Sequence, residues 1–555
     1  MMRALATPSA ARFAALLPLL WTSSWVSSCN DNAPTAAAPV TEEPPDSGPA
    51  PGHLTRDQLL DPQTCQSCHP HQYEEWAGSM HAYAAQDPVF VAMNARGQEE
   101  TEGKLGTFCV NCHAPMAVRD GLTTDGLNLS ELPSAYQGVT CYFCHSVDDV
   151  EGLHNNPLRL SNDRVMRGPF SDPAPNSAHA SAYSPWFDKN DHRSAKMCGA
   201  CHDVAVEAHF AAADVLLERS YAEWQDTLFN APVDQGGLTC NGCHMPISSR
   251  RDQSVPGPDM PKRRSRRHDF EGVDLALDSF AGRERQRVLV QQFLDSSLLA
   301  ELCVSRDGVV RVTLENASAG HHWPSGASHD RLAWLNLRIY DTADRRIYQT
   351  REPETIRFGS GDAGAVDDDF DDGGLVFADP ITLTDHVVDV HGEPAHMFWE
   401  VAEVARSTTL KGIATTDPLS PDYHRERSAW DVNTLSSTPN EIGRVELTVN
   451  LRPVKLSVLK SLVDSGHLAS AIAESMPTLQ VLPERCYSQA EIDTHPDVLV
   501  GARTDCDPEA AQHATTLTWT RQDAVPSNRN FRETVIDQSP ALCLAHPTYI
   551  PPDGP

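Results

Sequence analysis

The sequence predicts an α+β protein of two unlike bodies. The first is mainly helices and loops and cannot fill its own core; the second is an antiparallel β-sandwich-like body. Three observations predict this. Five copies of C-x-x-C-H crowd into the 180 residues from Cys65 to His244. Beyond residue 300, apolar and polar residues alternate on several separated stretches. The chain has 555 residues, 40% hydrophobic and 22% charged, which is too long for one small domain and polar enough to be soluble.

The N-terminal 28 residues read as an export signal: Arg3 and Arg12 precede the apolar run Phe13 to Trp21, and small residues follow. "VSSC" at Val26 to Cys29 resembles a lipobox, which makes Cys29 a lipid-anchored N-terminus after cleavage. Ordinary cleavage after Ala36 or Ala38 is the alternative. Residues 29–60 are then anchor and tether, since Asn30 to Gly52 is rich in Pro, Ala, Thr and Glu. Asn30, in place of Asp, points toward the outer membrane. No internal stretch has the length of a transmembrane helix.

Residues 61–282 hold the five motifs: Cys65/Cys68/His69, Cys109/Cys112/His113, Cys141/Cys144/His145, Cys198/Cys201/His202 and Cys240/Cys243/His244. C-x-x-C-H is the attachment signature of a c-type haem. Two thiols on one turn reach the two vinyl groups of a porphyrin, and the next residue offers its imidazole to the iron. Zinc sites pair their C-x-x-C elements and do not need a histidine after each one. The expectation is five covalently attached c-type haems with five proximal histidines. At about 36 residues per motif, no haem can have a helical domain of its own, so the haems must pack on one another.

Two segments in this region repeat in part: "YEEWAGSMH" (Tyr73 to His81) and "YAEWQDTLF" (Tyr221 to Phe229), with Phe229 at the place of His81. Both read as helical. Arg250 to Arg267 is the one basic stretch; it can neutralise haem propionates, dock an acidic partner or stay solvated.

Residues 283–480 form the second body. Arg283 to Val304 reads as a connecting amphipathic helix. Val309 to Glu315, Ala333 to Tyr340 and Val445 to Leu451 alternate with period two, and Val458 to Val463 reads as a short helix. The acidic run Asp367 to Gly374 is not an EF-hand, because Asp372 stands at the required glycine and Ala378 at the bidentate glutamate. Another calcium site or a solvated loop remains. Residues 481–555 are an extended segment with little periodicity. Outside the motifs and Cys29, four cysteines are left: Cys303, Cys486, Cys506 and Cys543. In an oxidising compartment they make two disulfides, with Cys486–Cys506 closing the shortest loop and three connectivities open.

Each iron takes one axial ligand from its motif and can take a second. Two histidines give low-potential electron transfer, while an open position permits catalysis. "CQSCHPHQYEEWAGSMHA", "GVTCYFCHSV", "MCGACHDV" and "YAEWQDTLFNAPVDQGGLTCNGCHMP" resemble exported multihaem cytochromes c related to the tetrahaem cytochromes of ammonia oxidisers. "AGHHWPSG" (Ala319 to Gly326) and the strands after it resemble the C-terminal region of many such proteins. The likeness covers roughly residues 60 to 475. It implies that His81, His179 and His268 are distal ligands, and it maps a further motif histidine onto His321, either as a ligand or as a structural hydrogen-bonding residue. His154, His192, His209 and His71 are candidates for the fifth distal place.

The formal charge of −32 excludes nucleic acid and suits a basic redox partner. The function expected is electron transfer between exported donor and acceptor proteins, on the periplasmic or cell-surface side of a membrane. The alternatives are an oxidoreductase acting on a small nitrogen or sulfur species at one open haem, and a structural subunit of a larger redox assembly. No motif carries Lys in place of His, as the nitrite reductase family does at its catalytic haem.

Overall fold

Caps and prolines cut the first body into short helices. The computed structural model describes residues 53–248, 261–305, 308–356, 358, 375–417, 419–431, 442–481, 489–496, 517–520, 525–526 and 541–543. The export signal, Cys29, the tether to Gly52, the acidic run from Asp367, Cys486, Cys506 and residues 250–260 of the basic stretch lie outside them. Thr55 caps α1 (Arg56–Leu60) in a capping box with Gln58, and Asp61 caps α2 (Pro62–Gln66). Next come α3 (Pro70–Ala77), α4 (Met80–Tyr83), α5 (Pro88–Glu100), α6 (Val110–His113) and α7 (Pro115–Arg119). Of these, α3, α5 and α7 open on a proline, whose missing N–H costs nothing in a first turn. Thr140 caps α8 (Cys141–His145), and α9 (Arg193–Gly199), α10 (Ser220–Gln225) and α11 (Cys240–Cys243) follow. Helices of four to eight residues are marginal alone, so their surroundings must hold them.

Three two-stranded ribbons lie between these helices. They are β1 (Val147–Val150) with β2 (Leu158–Leu160), β3 (Val165–Gly168) with β4 (Ala180–Tyr183), and β5 (Val204–Val206) with β6 (Val215–Glu218). The middle ribbon is parallel and the other two antiparallel.

The connecting helix is shorter than expected. α12 spans Arg283–Asp295, and Leu299–Ser305 is strand β7. Ser296 and Ser297 end the helix by donating their hydroxyls to the carbonyls of Phe293 and Leu294, at 2.7 and 2.6 Å. The apolar residues beyond then pair with β8 (Val309–Glu315), Leu302 opposite Val312. The period-two stretches are strands: β8, β9 (Leu332–Asp341) and, after several shorter strands, β16 (Ile442–Arg452).

Those shorter strands are β10 (Arg346–Thr350), β11 (Val376–Ala378), β12 (Ile381–Leu383), β13 (Asp385–Val388), β14 (Glu403–Ser407) and β15 (Arg425–Asp431). β17 (Leu479–Val481), β18 (Leu517–Thr520), β19 (Val525–Pro526) and β20 (Ala541–Cys543) follow β16. One sheet runs β11-β10-β9-β16-β17, with β12 also on β9 and β18 also on β16; the other runs β15-β8-β7-β20-β19; β13 and β14 form a ribbon. The stretch after residue 481, read as aperiodic, thus supplies strands to both sheets. Cys303 is disulfide-bonded and stands opposite Cys543 in register.

Leu302, Val310, Val312 and Leu314 from one sheet share an apolar cluster with Leu335, Leu337, Val445, Leu447 and Val449 from the other. Each such side chain contributes about 1.5–3 kcal/mol by burial. A second cluster joins the two bodies. Val89 and Ala92 of α5 pack with Trp399 and with Val458, Leu459 and Leu462 of α13 (Leu456–Asp464), which is the short helix expected at Val458. Trp399 Nε1 donates to the Glu100 carboxylate at 2.8 Å across the same seam. Among the described residues, no helix is long and apolar enough to cross a membrane.

Candidate functional site

Each motif closes one helical turn. The main-chain N–H of His69, His113, His202 and His244 donates to the carbonyl of the first cysteine of its motif, at 2.8–3.2 Å. Residues three apart then share a face, which turns both thiols the same way. This is the geometry a two-armed covalent attachment requires.

Eight motif cysteines are half-buried, whereas Cys68 and Cys243 are exposed. The reason at Cys68 is local. α2 ends at Gln66 with Ser67 as its cap, and α3 begins only at Pro70, so Cys68 stands in the exposed link between two helices. Its main-chain N–H still donates to the Cys65 carbonyl at 3.1 Å, which keeps the two thiols on one turn, and its sulfur accepts from the Ser67 hydroxyl at 3.8 Å.

The histidine rings meet in pairs. His69 and His179 have centroids 6.4 Å apart, His81 and His202 are 6.2 Å apart, and His244 and His321 are 6.3 Å apart. The spacing has a simple origin. Two metal–nitrogen bonds of about 2.0 Å, with about 1.15 Å from each nitrogen to its ring centre, separate two axial imidazoles by about 6.3 Å. The rings are therefore set as an iron bound between them would set them, and the residues fit the group the motifs imply. His268 is buried, and His145 and His69 both lie near enough to act on it electrostatically.

Main-chain carbonyls fix the rings. Nδ1 faces the oxygen of Ala84 in His113 (3.0 Å), of Arg167 in His145 (2.5 Å) and of Glu271 in His244 (2.6 Å). It faces Ala180 in His179 (3.1 Å), Arg266 in His268 (2.9 Å) and His322 in His321 (2.8 Å). A proton held on Nδ1 leaves the Nε2 lone pair free for a metal. His81 differs, because its buried Nδ1 has no hydrogen-bond partner. Burial favours the neutral rings throughout. It pulls His81 down to about 3 and His244 and His268 to about 4, and it lowers His113, His145, His179, His202 and His321. Neutral imidazole is the form that binds iron.

Thiols of different motifs also meet. Cys65 lies near Cys141, Cys198 near Cys240, and Cys112 near Cys201. The first motif therefore neighbours the third, and the fourth neighbours both the second and the fifth.

Two candidates for the fifth distal place sit beside carboxylates. His154 sits 2.9 Å from Asp203, His209 sits 3.2 Å from Glu207, and His192 is exposed at the start of α9. His71 stands in the first turn of α3. Among the described residues, the ring stacked on His113 is that of Phe90, at 4.0 Å and nearly parallel. Of the described arginines of the basic stretch, Arg266 and Arg267 serve the interior, Arg263 pairs at the surface and Arg264 is exposed. Arg263 pairs with Asp172, Arg266 donates to the carbonyls of Asn241 and Met245, and Arg267 holds Asp269 and Glu271.

The partial repeat extends to the main chain. Trp76 Nε1 donates to the Val139 carbonyl at 2.7 Å, and Trp224 Nε1 to the Leu238 carbonyl at 2.9 Å; each carbonyl lies two residues before a motif. The N–H of Val139 donates to the His81 carbonyl, and that of Leu238 to the Phe229 carbonyl, at 2.8 and 3.0 Å. The shared "G-V/L-T-C" was the sequence signal for these clasps.

The family model of cytochrome c554 and c-prime matches residues 64–146, a stretch with three of the five motifs. No curated protein matches the chain. Among solved structures, a penta-heme cytochrome c552 from Thermochromatium tepidum is 18% identical, with a TM-score of 0.48, and the match covers 78% of this chain and 98% of that one. Over residues 64–146 the chain is similar to that cytochrome c family, and the likeness supports c-type haem binding and electron transfer.

Proposed function

We propose that this protein is an exported electron carrier that holds five c-type haems and passes electrons between a donor and an acceptor protein. The observation that carries the reading is the 6.2–6.4 Å spacing of three histidine ring pairs, each joining a motif histidine to one remote in sequence. The proximal ligands are His69, His113, His145, His202 and His244. The distal ligands are His179 for the first motif, His268 for the third, His81 for the fourth and His321 for the fifth. A c-type haem, when bound, supplies an iron that takes up and returns one electron. The chain's part is to fix neutral imidazoles on that iron and to bring neighbouring motifs into contact. The sulfur contacts support an order in which motif one meets three, and motif four meets two and five.

The two sheets sharing one core form a sandwich that carries His321 to the fifth motif. Cys29 anchors the protein by lipid, on the periplasmic or outer face of a membrane, and Cys486–Cys506 is the second disulfide. A second reading attaches to His113, the motif histidine to which no distal ligand is assigned. It makes that haem five-coordinate and open to a small ligand.

Electron paramagnetic resonance of the oxidised protein tests both readings. The carrier requires at least four low-spin bis-histidine signals. A high-spin signal that shifts when nitrite or hydroxylamine is added would establish the second reading. Fewer than four low-spin haems would refute the ligand set.

A further inference from the structure

Tyr-x-Glu-Trp occurs in both copies of the partial repeat, as Tyr73–Trp76 in α3 and Tyr221–Trp224 in α10. The two tryptophans hold the carbonyls of Val139 and Leu238, so α3 grips the cysteine side of the third motif and α10 that of the fifth. The glutamate beside each tryptophan reaches the other way. Glu75 accepts the main-chain N–H of His268 at 2.9 Å. Glu223 accepts the main-chain N–H of His322 at 3.2 Å and the hydroxyl of Ser325 at 2.6 Å. His268 is the residue assigned opposite His145, and the peptide between His321 and His322 belongs to the residue opposite His244.

That second peptide is held at both ends. Its N–H goes to Glu223, and its carbonyl, on His321, accepts from Asn316 Nδ2 at 2.6 Å. The His321 ring is tied to the next carbonyl, that of His322. Moving the Glu223 carboxylate therefore moves the main chain that aims the ring. Further bonds dock the same loop on α10: Ser220 Oγ lies 2.8 Å from Ser325 Oγ and accepts the Gly326 N–H at 3.0 Å. Both carboxylates are inside the protein; Glu75 is 8% exposed and the Glu223 side chain 10%. A buried carboxylate is costly unless its hydrogen bonds are made, and here the partners that make them are the segments bearing distal histidines.

We propose that Glu75 and Glu223 are a duplicated pair of positioning residues. Each fixes the main chain of the distal histidine for the motif gripped by its neighbouring tryptophan. The proposal rests on the five-haem reading and deepens it: one turn of helix sets both sides of one iron, by indole on the attachment side and by carboxylate on the distal side. The recurrence of the arrangement in both copies has a physical sense. Residues i and i+1 on a helix point about 100° apart, so adjacent Glu and Trp can hold two segments on either flank of a ring.

The test uses the full-length holoprotein with Glu75→Ala and Glu223→Ala made separately. Haem content, low-temperature electron paramagnetic resonance and a potentiometric titration are read for each. Five haems should be retained. Glu223→Ala should alter the low-spin signal and potential of one haem, the same one altered by His321→Ala. Glu75→Ala should alter a different haem, the one altered by His268→Ala. Glu75→Gln and Glu223→Gln keep an acceptor oxygen and should restore the wild-type signals. Should an alanine variant fail to accumulate, methionine, which keeps the bulk and loses the acceptor, carries the same readout. Wild-type signals and potentials in both variants, or changes spread over all haems, would overturn the proposal. A wild-type protein with fewer than five haems would instead overturn the reading beneath it.

Discussion

His81 is joined to two motifs at once. Its ring lies 6.2 Å from His202, of the fourth motif, while its carbonyl accepts the N–H of Val139, which leads into the third. His81→Met exchanges the ring and leaves the main-chain bond in place. Methionine as an axial ligand raises the potential, so one haem should titrate at higher potential while the other four hold. Five unchanged potentials in a potentiometric titration would remove His81 from the ligand set. The proximal histidines were legible in the sequence because covalent attachment dictates their spacing. The remote histidines were not legible from spacing, since folding brings them from 77 to 123 positions away. Resemblance alone pointed to His81, His179, His268 and His321.

At the level of elements, the Tyr-x-Glu-Trp helices and the turns they grip hold the motifs in place. Gly138 has φ +78°, and a Cβ there would sit 2.6 Å from the His81 carbonyl. Gly138→Ala should destabilise by more than about 1 kcal/mol, from the left-handed backbone and the clash together. The expected result is a lower denaturant midpoint with an unchanged slope. Trp76→Phe and Trp224→Phe each leave a carbonyl without its indole donor, at a cost of roughly 1–3 kcal/mol. Denaturation of each variant against wild type measures it, and a loss below about 0.5 kcal/mol would show that neither clasp matters. The strands were readable from alternation because one face of each is buried. The end of α12 was not, because Leu298 to Val304 is as apolar as the helix before it, and the pairing of β7 with β8 decides its conformation.

Over the whole molecule, the two bodies are bound through α5 and α13, and a loop of the second reaches the fifth motif of the first. The apolar seam between them was invisible to a reading of separate domains, since Val89 and Val458 are 369 positions apart in the sequence. The formal charge of −32 makes association with a basic partner fast and salt-sensitive. Stopped-flow reduction by a basic cytochrome should slow as ionic strength rises from low to physiological, and a rate indifferent to salt would exclude steering by charge. Cys240→Ala with Cys243→Ala should cost one haem and leave four, since each motif attaches its own. Intact-mass measurement of the mature holoprotein, produced in a host that matures c-type cytochromes, tests the five-haem reading most directly. The predicted mass is that of the polypeptide plus five covalently bound haems, retained after denaturation; a mass showing fewer, or haem lost on unfolding, would contradict it.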